Sequence, residues 1–403
     1  MVNRRYFYLL YALIIALSTF SGFFRLGSIT YLAAVILFLL LPFLASSARF
    51  PIRLGSGKVL LLLFICFISI LINNPPSYFR VWERLLLFTI VLLAFSPLTN
   101  GIVLNRNRIL LFDSLIYTML LFSVASFIGY FFGINFFTLS GELLEYSEAG
   151  HFSGFTYHSM ALAPISSLSA LLGLSKILSL KSEETKKTIW WIITPLCYGA
   201  VFLSASRGAL AGVIFASAIA VYRHSGARMG KFLRYSLHVI ALASFTFPIW
   251  GGLTESVIEK NKSNMSQGGF MYSRETKMAA RLYEIRNNFL TGVGFSVVDE
   301  SVDYVDRETG TIEPNSSWLC VFSMTGLFGF VVFLLIYINS FKTAYKKITN
   351  TEKSVFLCSV LAFFFVHMMV EGYVFAAGSF LCGTYWLTLG VVHAYAKLYV
   401  QGK

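Results

Sequence analysis

Long apolar runs separated by short polar segments dominate this chain and predict twelve membrane-spanning helices. The runs are continuous and do not alternate between apolar and polar residues, which excludes an outer-membrane β-barrel. The sequence therefore predicts an all-α, polytopic membrane protein. The predicted spans lie at about 6–24, 28–46, 57–73, 85–101, 109–133, 159–175, 188–203, 208–222, 233–250, 315–340, 354–374 and 376–396.

The polar segments between the predicted spans differ greatly in length. Two long segments, at about 134–158 and 251–314, fall on the side of the membrane opposite to the N-terminus. The second separates nine spans in residues 1–250 from three spans in residues 315–403. Loops of this length are usually functional.

The middle of segment 251–314, at about 272–290, predicts an amphipathic helix. An apolar stripe at helical spacing is formed by Met278, Leu282, Ile285 and Phe289. A polar edge about a quarter-turn away is formed by Lys277, Arg281, Glu284 and Asn288. We expect this helix to lie on the outer membrane surface, with its polar edge directed sideways to hold a ligand there.

Composition and charge support a membrane protein with a defined orientation. Of the 403 residues, 57% are hydrophobic and only 13% are charged, against about 25% charged in a soluble domain. Soluble enzymes, disordered proteins and fibrous proteins are thereby excluded. The net charge is +13. Most basic residues lie in short segments between the predicted spans, on the same side of the membrane as the N-terminus. Short basic loops face the cytoplasm, so we expect both termini to be cytoplasmic and nucleic acid not to be a partner.

Arginines on the outer side are the clearest candidates for chemistry. Arg207 interrupts two apolar spans, and an arginine at the bilayer centre costs about 2.5–3.5 kcal/mol, so we place it at the outer rim or in a polar cavity. Arg80 and Arg84 precede a span on the same side, and Arg281 lies on the predicted helix. Guanidinium groups bind phosphate in a bidentate manner, so the set predicts a lipid diphosphate ligand. The alternatives are a snorkelling arginine, interface anchoring with a local ion pair, and a solvated helix face.

The acidic residues predicted on the outer side of the membrane indicate specific roles less clearly than the arginines do. The acidic stretch at 299–313 matches no known cation-binding loop, and we interpret it as solvated rather than as a Ca²⁺ or Mg²⁺ site. Glu371 follows an apolar run one helical turn after His367, so it is either a functional residue or the partner of that histidine. Nucleotide-binding, zinc-protease and α/β-hydrolase motifs are absent from the sequence. An enzyme of this kind needs a substrate with its own leaving group, which a lipid diphosphate has.

Several short motifs give the chain a family resemblance. They are GHFSGF at 150–155, SASRG at 204–208, Arg281 followed by GVG at 292–294, PNSSWL at 314–319 and MTGLFG at 324–329. In order and spacing, residues from about 150 to 395 resemble the O-antigen ligase and polysaccharide polymerase superfamily of bacterial inner membranes. The resemblance implies a membrane-type (GT-C-like) transferase fold with a large periplasmic loop. It further implies metal-independent transfer of an undecaprenyl-diphosphate-linked glycan, with no cofactor.

The resemblance favours the polymerase branch of this superfamily. Ligases that attach glycan to the lipid A core typically show His-Asn ahead of the tenth span, where this chain has Pro314-Asn315. The spacing of Arg281 and Gly292 is similar to that of the Wzy-type repeat-unit polymerases. The implied function is polymerisation of repeat units on the periplasmic face, to build O-antigen, capsule or exopolysaccharide. A ligase, a lipid-glycan flippase or exporter, and a non-catalytic scaffold are the alternatives.

Within this function, Arg207 and Arg281 are predicted to stabilise the departing diphosphate, and Glu313 is the first candidate for a general base. His151, Glu142 and Glu371 are the other candidates for the base. The predicted substrate-binding residues are Arg80, Arg84, Arg274, Lys277, Asn315, His151 and Glu371. The expected partners are an undecaprenyl-diphosphate-linked oligosaccharide, membrane lipid and a chain-length regulator protein.

Overall fold

The computed structural model is predominantly α-helical. It describes residues 2–24, 26–45, 52–135, 152–179, 185–237, 251–254, 257–258, 262, 265, 272–312 and 315–400. The principal helices are α1 (Val2–Thr19), α2 (Gly27–Ala45), α3 (Gly57–Asn73), α4 (Val81–Phe95), α5 (Ile102–Phe131), α6 (Ser159–Ser179), α7 (Thr185–Leu203), α8 (Arg207–His224), α9 (Tyr272–Asn287), α10 (Ser317–Lys346), α11 (Thr351–His367) and α12 (Phe380–Val400). Two short strands, β1 (Arg53–Leu54) and β2 (Thr99–Asn100), pair antiparallel.

Four helices in the described part of the chain are long and apolar enough to cross a membrane. They are Gly27–Leu44, Ile102–Phe131, Ser159–Ser179 and Ser317–Lys346. The predicted all-α polytopic class is thereby confirmed, whereas the count of twelve spans, their orientation and the division of the chain stay predictions. The predicted span at 85–101 differs in its ends, because α4 runs from Val81 to Phe95 and residues 99–100 belong to β2.

The chain folds as two compact units. The first comprises Met1–Gly27, Asp113–Phe270 and Ala344–His367. Its helices α6, α7, α8 and α11 pack against one another, and glycines lie at the contacts. Gly173 of α6 faces Thr194 of α7, and Gly212 of α8 faces Phe363 of α11. Small residues allow helix backbones to approach closely, which is how helices associate in membranes.

The described part of the GHFSGF motif holds the entry to α6 in this first unit. The Phe155 N–H donates to Ser126 Oγ on α5 at 3.0 Å. The Phe155 carbonyl accepts from the Gly22 N–H at 3.0 Å. Gly154 has φ +54°, and a Cβ there would collide with Ser126, so the motif needs glycine for both conformation and space.

The second unit comprises Ser28–Phe112, Met271–Thr343 and Met368–Lys403. Its core contains an aromatic cluster of Phe88, Phe295, Phe375 and Trp386, with ring centroids 5.1–5.8 Å apart. Phe295 follows α9, and Phe375 lies between α11 and α12. The cluster therefore fixes the polypeptide that follows α9 against α4 and α12.

A break in α10 receives the chain that follows α9. Gly326 has φ 65° and ψ −169°, which interrupts the helix. The Val293 N–H donates to the Ser323 carbonyl at 2.8 Å, and the Leu327 N–H donates to the Phe289 carbonyl at 2.8 Å. Backbone groups released by the break are thus satisfied by this neighbouring segment. The GVG and MTGLFG motifs, distant in sequence, form one structural joint.

Candidate functional site

Helix α9 turns its polar edge into the second unit. Arg281 and Glu284 are 1% and 0% exposed, whereas Leu282 and Phe289 of the apolar stripe are 54% and 47% exposed. Buried ionisable side chains are normally paired, so this orientation requires partners for both residues inside the unit. The predicted helix is therefore present, and its polar edge is buried within the second unit.

Arg281 lies between two carboxylates. Its Nη1 is 2.8 Å from Glu284 Oε2, and its Nη2 is 3.5 Å from Asp303 Oδ2. The other Glu284 oxygen accepts the Asp299 N–H at 2.8 Å. The buried Arg281 Nε has no hydrogen-bond partner among the described residues. The guanidinium is thus held firmly on one edge by Glu284 and more loosely by Asp303.

Burial raises the pKa of Glu284 above its ordinary value. Desolvation is the largest cause, and it outweighs the opposing effects of Arg281, the Asp299 N–H and the Ser323 hydroxyl. Desolvation disfavours the charged form of a carboxyl group. The arginine is therefore paired with a carboxylate that takes up a proton more readily than a solvent-exposed one.

This pKa shift predicts a pH-dependent difference between the wild type and Glu284→Gln. Because the folded-state pKa lies above the unfolded one, Glu284 contributes stability below pH 4.5 that is lost as pH rises through the folded pKa. Glutamine does not titrate. We expect the free energy of unfolding of the wild type, minus that of the variant, to fall as the pH rises from 4.5 towards 7. Unfolding at a series of pH values measures this, and a constant or rising difference would contradict it.

A second polar cluster lies at the N-terminal end of the same helix face. Arg274, two turns before Arg281 and about 10 Å along the axis, forms an ion pair with Glu371. The Asn315 amide donates to the Arg274 carbonyl at 3.3 Å. The Ser317 hydroxyl donates to the Glu371 carbonyl at 2.7 Å. Arg274 therefore contacts both Glu371 and Asn315, two other residues predicted separately to bind substrate.

In the first unit, Arg207 is the first residue of α8. The α7–α8 connection is tight, because Ala205 adopts a left-handed conformation with φ 51°. Leu203, at the end of α7, packs with Phe152 and Leu162 in a small apolar cluster. Arg207 itself is half-buried. The structure thus places this arginine at a helix start, shortly after Leu203, which packs against Phe152 of the GHFSGF motif.

Residues 192–334 match a protein-family model described as O-antigen ligase. Over this segment, about a third of its length, the chain is similar to the O-antigen ligase family. Members of this family are glycosyl-transferring enzymes in general. A comparison with curated proteins finds no match. The matched segment contains Arg207 and Asn315, and it includes all of α9 with Arg274, Arg281 and Glu284. It ends within α10.

Arg84 has a structural role that the sequence analysis did not assign. Its Nη1 donates to Ser296 Oγ at 3.0 Å, and its Nη2 donates to the Gly310 carbonyl at 2.7 Å. These bonds fasten the segment after α9 to the start of α4. Arg80, four residues earlier, is exposed and caps α4 in a left-handed conformation. Of the two arginines, Arg80 is the more accessible for a lipid phosphate.

This difference predicts losses of stability of different size for the two alanine variants. Arg84→Ala removes two hydrogen bonds from a charged donor, and we expect the free energy of unfolding to fall by about 1.5–3 kcal/mol. Arg80→Ala should change it by less than about 0.5 kcal/mol, as is usual at an exposed site. Thermal unfolding of the purified chain in detergent compares them. Equal stability of the two variants would contradict the assigned role of Arg84.

The remaining predicted site residues lie in varied surroundings. Lys277 is half-buried on α9. His367, considered above as a partner of Glu371, stacks on Phe363 in the first unit with ring centroids 5.0 Å apart. Glu313, His151 and Glu142 lie outside the described residues, so the identity of a general base stays a prediction.

The acidic stretch mainly organises its own backbone. Asp306 Oδ1 accepts the Glu308 N–H at 3.0 Å, and its Oδ2 accepts the Thr309 hydroxyl at 2.6 Å. The Thr309 hydroxyl is the main cause that lowers the pKa of Asp306. Among the described residues, no group of three histidine, cysteine, aspartate or glutamate side chains is arranged to hold a metal ion. Aspartates commonly stabilise turns in this way.

The sequence analysis did not predict that Glu284 and Asp303 are the partners of Arg281. Glu284 follows Arg281 by three residues, a spacing that brings side chains together on a helix, so this pairing could have been predicted. Asp303 is 22 residues away from Arg281. No local pattern signals a contact between residues so far apart in sequence.

Proposed function

We propose that this chain polymerises undecaprenyl-diphosphate-linked oligosaccharide repeat units on the periplasmic face of the bacterial inner membrane, with both termini in the cytoplasm. The observation that carries the proposal is the buried Arg281 cluster on α9, within the segment that matches the O-antigen ligase family. A buried cation held by protein groups is preorganised to stabilise negative charge that develops during a reaction.

The proposed reaction is a direct transfer between two lipid-linked glycans. The anomeric carbon of the growing chain loses its bond to the diphosphate, which leaves with the electron pair. A hydroxyl oxygen of the incoming repeat unit forms the new bond to that carbon and gives up its proton. Charge grows on the departing diphosphate, so fixed guanidinium groups lower the barrier. Neither a metal ion nor a cofactor is part of this proposal.

Arg281 can receive an anion by exchange with Asp303. The Asp303 contact, at 3.5 Å, is longer than the 2.8 Å contact to Glu284. A diphosphate oxygen that replaces Asp303 would meet Nη2 while Glu284 keeps the guanidinium in position. The planar group suits two parallel hydrogen bonds to phosphate. We propose Arg207 as a second such cation, on the basis of its position in the matched segment.

The other charged residues of the second unit are proposed to bind the lipid phosphates and the glycan. Arg274 and Glu371 form an ion pair that is partly accessible, with 24% and 19% of their side chains exposed. Lys277 lies on the same helix, and Arg80 is exposed at the start of α4. A polymerase has a lipid diphosphate on both substrates and therefore needs more than one anion site. Arg274, Lys277 and Arg80 provide enough cations for a second such site. Glu313 is proposed first as the base that accepts the hydroxyl proton.

The second candidate function is ligation of a glycan to the lipid A core. The description of the matching family as O-antigen ligase favours it. Pro314 argues against it, because proline supplies neither a proton acceptor nor a backbone donor. The ligase resemblance would require a histidine at that position.

The deciding experiment supplies purified full-length protein with undecaprenyl-diphosphate-linked repeat units alone, without nucleotide, added metal or lipid A core. We expect a ladder of lengthened glycans, resolved by gel electrophoresis. The Arg207→Ala and Arg281→Ala variants are the matched inactive controls. If no ladder forms but glycan is transferred once lipid A core is added, the protein is a ligase and the polymerase proposal is wrong.

A further inference from the structure

A polar cavity lies in the second unit, apart from the charged clusters of α9. Its volume is about 220 Å³. It is lined by residues around β2, by residues just before α3, and by side chains of α5, α10 and α12. Holding one water takes roughly 10–15 Å³, so this cavity has room for a group of several atoms. Gly390 contributes to the lining, and a Cβ at that position would collide with the Phe95 carbonyl.

The charge of the lining is entirely basic. Arg108 and Lys397 are its cations and His393 is a neighbour, and none of the described residues that line it is an aspartate or glutamate. Arg108 is 1% exposed. It donates to the carbonyls of Leu93, Ala94 and Thr99, to the Thr99 hydroxyl and, at 3.5 Å, to Asn105 Oδ1, so its five N–H groups already have acceptors in the protein. Within the described part of the chain it forms no ion pair, which is unusual for a buried charge.

The protein compensates this positive charge only in part. The Leu93 and Ala94 carbonyls belong to the last turn of α4, and a helix C-terminus carries about half a negative elementary charge. Lys397, exposed at the cavity, adds a second full positive charge. The cavity therefore keeps a net positive charge that a bound anion would neutralise.

Neutral donors complete the lining. Asn105 donates to Asn100 Oδ1 at 2.7 Å, so the Asn100 amide nitrogen is left as a donor. Ser56 precedes α3, and its hydroxyl makes no capping hydrogen bond. Asn339 of α10 supplies another amide. Oxygen acceptors of an anion would thus meet the Lys397 ammonium and these neutral donors, while Arg108 contributes its positive charge.

We propose that this cavity binds a phosphate-bearing anion. A phosphate group offers several strong acceptor oxygens, which match the Lys397 ammonium and the neutral donors of the lining. Its negative charge matches the positive charge of the buried Arg108. The same chemistry is present in inorganic phosphate and in the headgroup of an anionic phospholipid. The site is separate from the proposed transferase site, and its occupation does not depend on that activity.

The test uses the purified full-length chain in an uncharged maltoside detergent. Inorganic phosphate is titrated at constant ionic strength with chloride as the reference, and phosphatidylglycerol is titrated with an uncharged glycolipid as the reference. We expect at least one phosphate probe to raise the thermal unfolding midpoint in a saturable manner. A shift with inorganic phosphate assigns free phosphate, and a shift with phosphatidylglycerol alone assigns the lipid headgroup.

Lys397→Gln should weaken the apparent affinity for the active probe about tenfold or more, because it removes a charge-assisted hydrogen bond. Lys347→Gln, at an exposed lysine outside the cavity lining, makes the same charge change and should bind as the wild type does. Ser56→Ala provides a smaller change that preserves charge and should also weaken binding. No shift of the wild type with either probe, or equal affinities for Lys397→Gln and wild type, would overturn the proposal.

Discussion

Arg281→Ala is expected to reduce the rate of glycan polymerisation about 10²- to 10³-fold. Removing one preorganised donor from a developing negative charge costs about 2.7–4 kcal/mol of transition-state stabilisation, and Arg281 is the buried cation of the α9 cluster. The measurement is the initial rate of ladder formation from lipid-linked repeat units, normalised to the amount of folded protein. Arg281→Lys should recover only part of the rate, because lysine lacks the planar pair of donors.

The controls separate loss of catalysis from loss of fold. Arg281→Ala leaves the buried Glu284 without its cation, and breaking a buried ion pair by removing one partner costs about 3–5 kcal/mol of stability. The double variant Arg281→Met with Glu284→Met removes the pair together and should stay folded while remaining inactive. Arg286→Ala changes an exposed arginine of the same helix and should be active. A folded Arg281→Ala or double variant that produces normal chain lengths would refute the role of Arg281.

Gly292→Ala is expected to prevent accumulation of folded protein. Gly292 has φ +70°, a conformation that costs an alanine about 1–3 kcal/mol. A Cβ there would also lie 2.5–2.6 Å from backbone atoms of Met324, Thr325 and Gly326. These are backbone atoms at the α10 break, so the neighbouring segment cannot yield by a side-chain rotation. Membrane-fraction yield and the thermal unfolding midpoint measure the effect.

Gly378→Ala is the matched control for this prediction. Gly378 belongs to the same unit, and a Cβ there would meet nothing within 4 Å. We expect its yield and unfolding midpoint to equal those of the wild type. If Gly292→Ala matched Gly378→Ala in both measurements, the joint between residues 289–294 and the α10 break would not determine stability.

Much of the fold follows from local patterns. Apolar runs predicted the helices because a membrane helix needs about 20 apolar residues in one segment. The 3.6-residue period predicted the helix that the structure shows at Tyr272–Asn287. The predicted span at 85–101 ends too late: α4 stops at Phe95, ahead of Pro97, which cannot continue a helix, and residues 99–100 pair with β1.

The candidate site was predicted less completely, since its contacts join distant segments. Arg281 and Arg274 were singled out from their charge and their position on one helix. Their partners Asp303 and Glu371 lie 22 and 97 residues away. Arg84 shows the same limit: its bonds to Ser296 and Gly310 span more than 200 residues.

The sequence by itself determined the helical membrane class, the superfamily resemblance and the set of unusual arginines. Each of these depends on composition or on short-range spacing, which a linear chain displays directly. Only the tertiary structure decided that the polar edge of α9 is buried and that Arg84 hydrogen-bonds the segment after α9. It also decided that Gly292 packs against the backbone of Gly326. Those outcomes depend on which distant groups can satisfy a buried charge or a released backbone group, and folding alone brings such groups together.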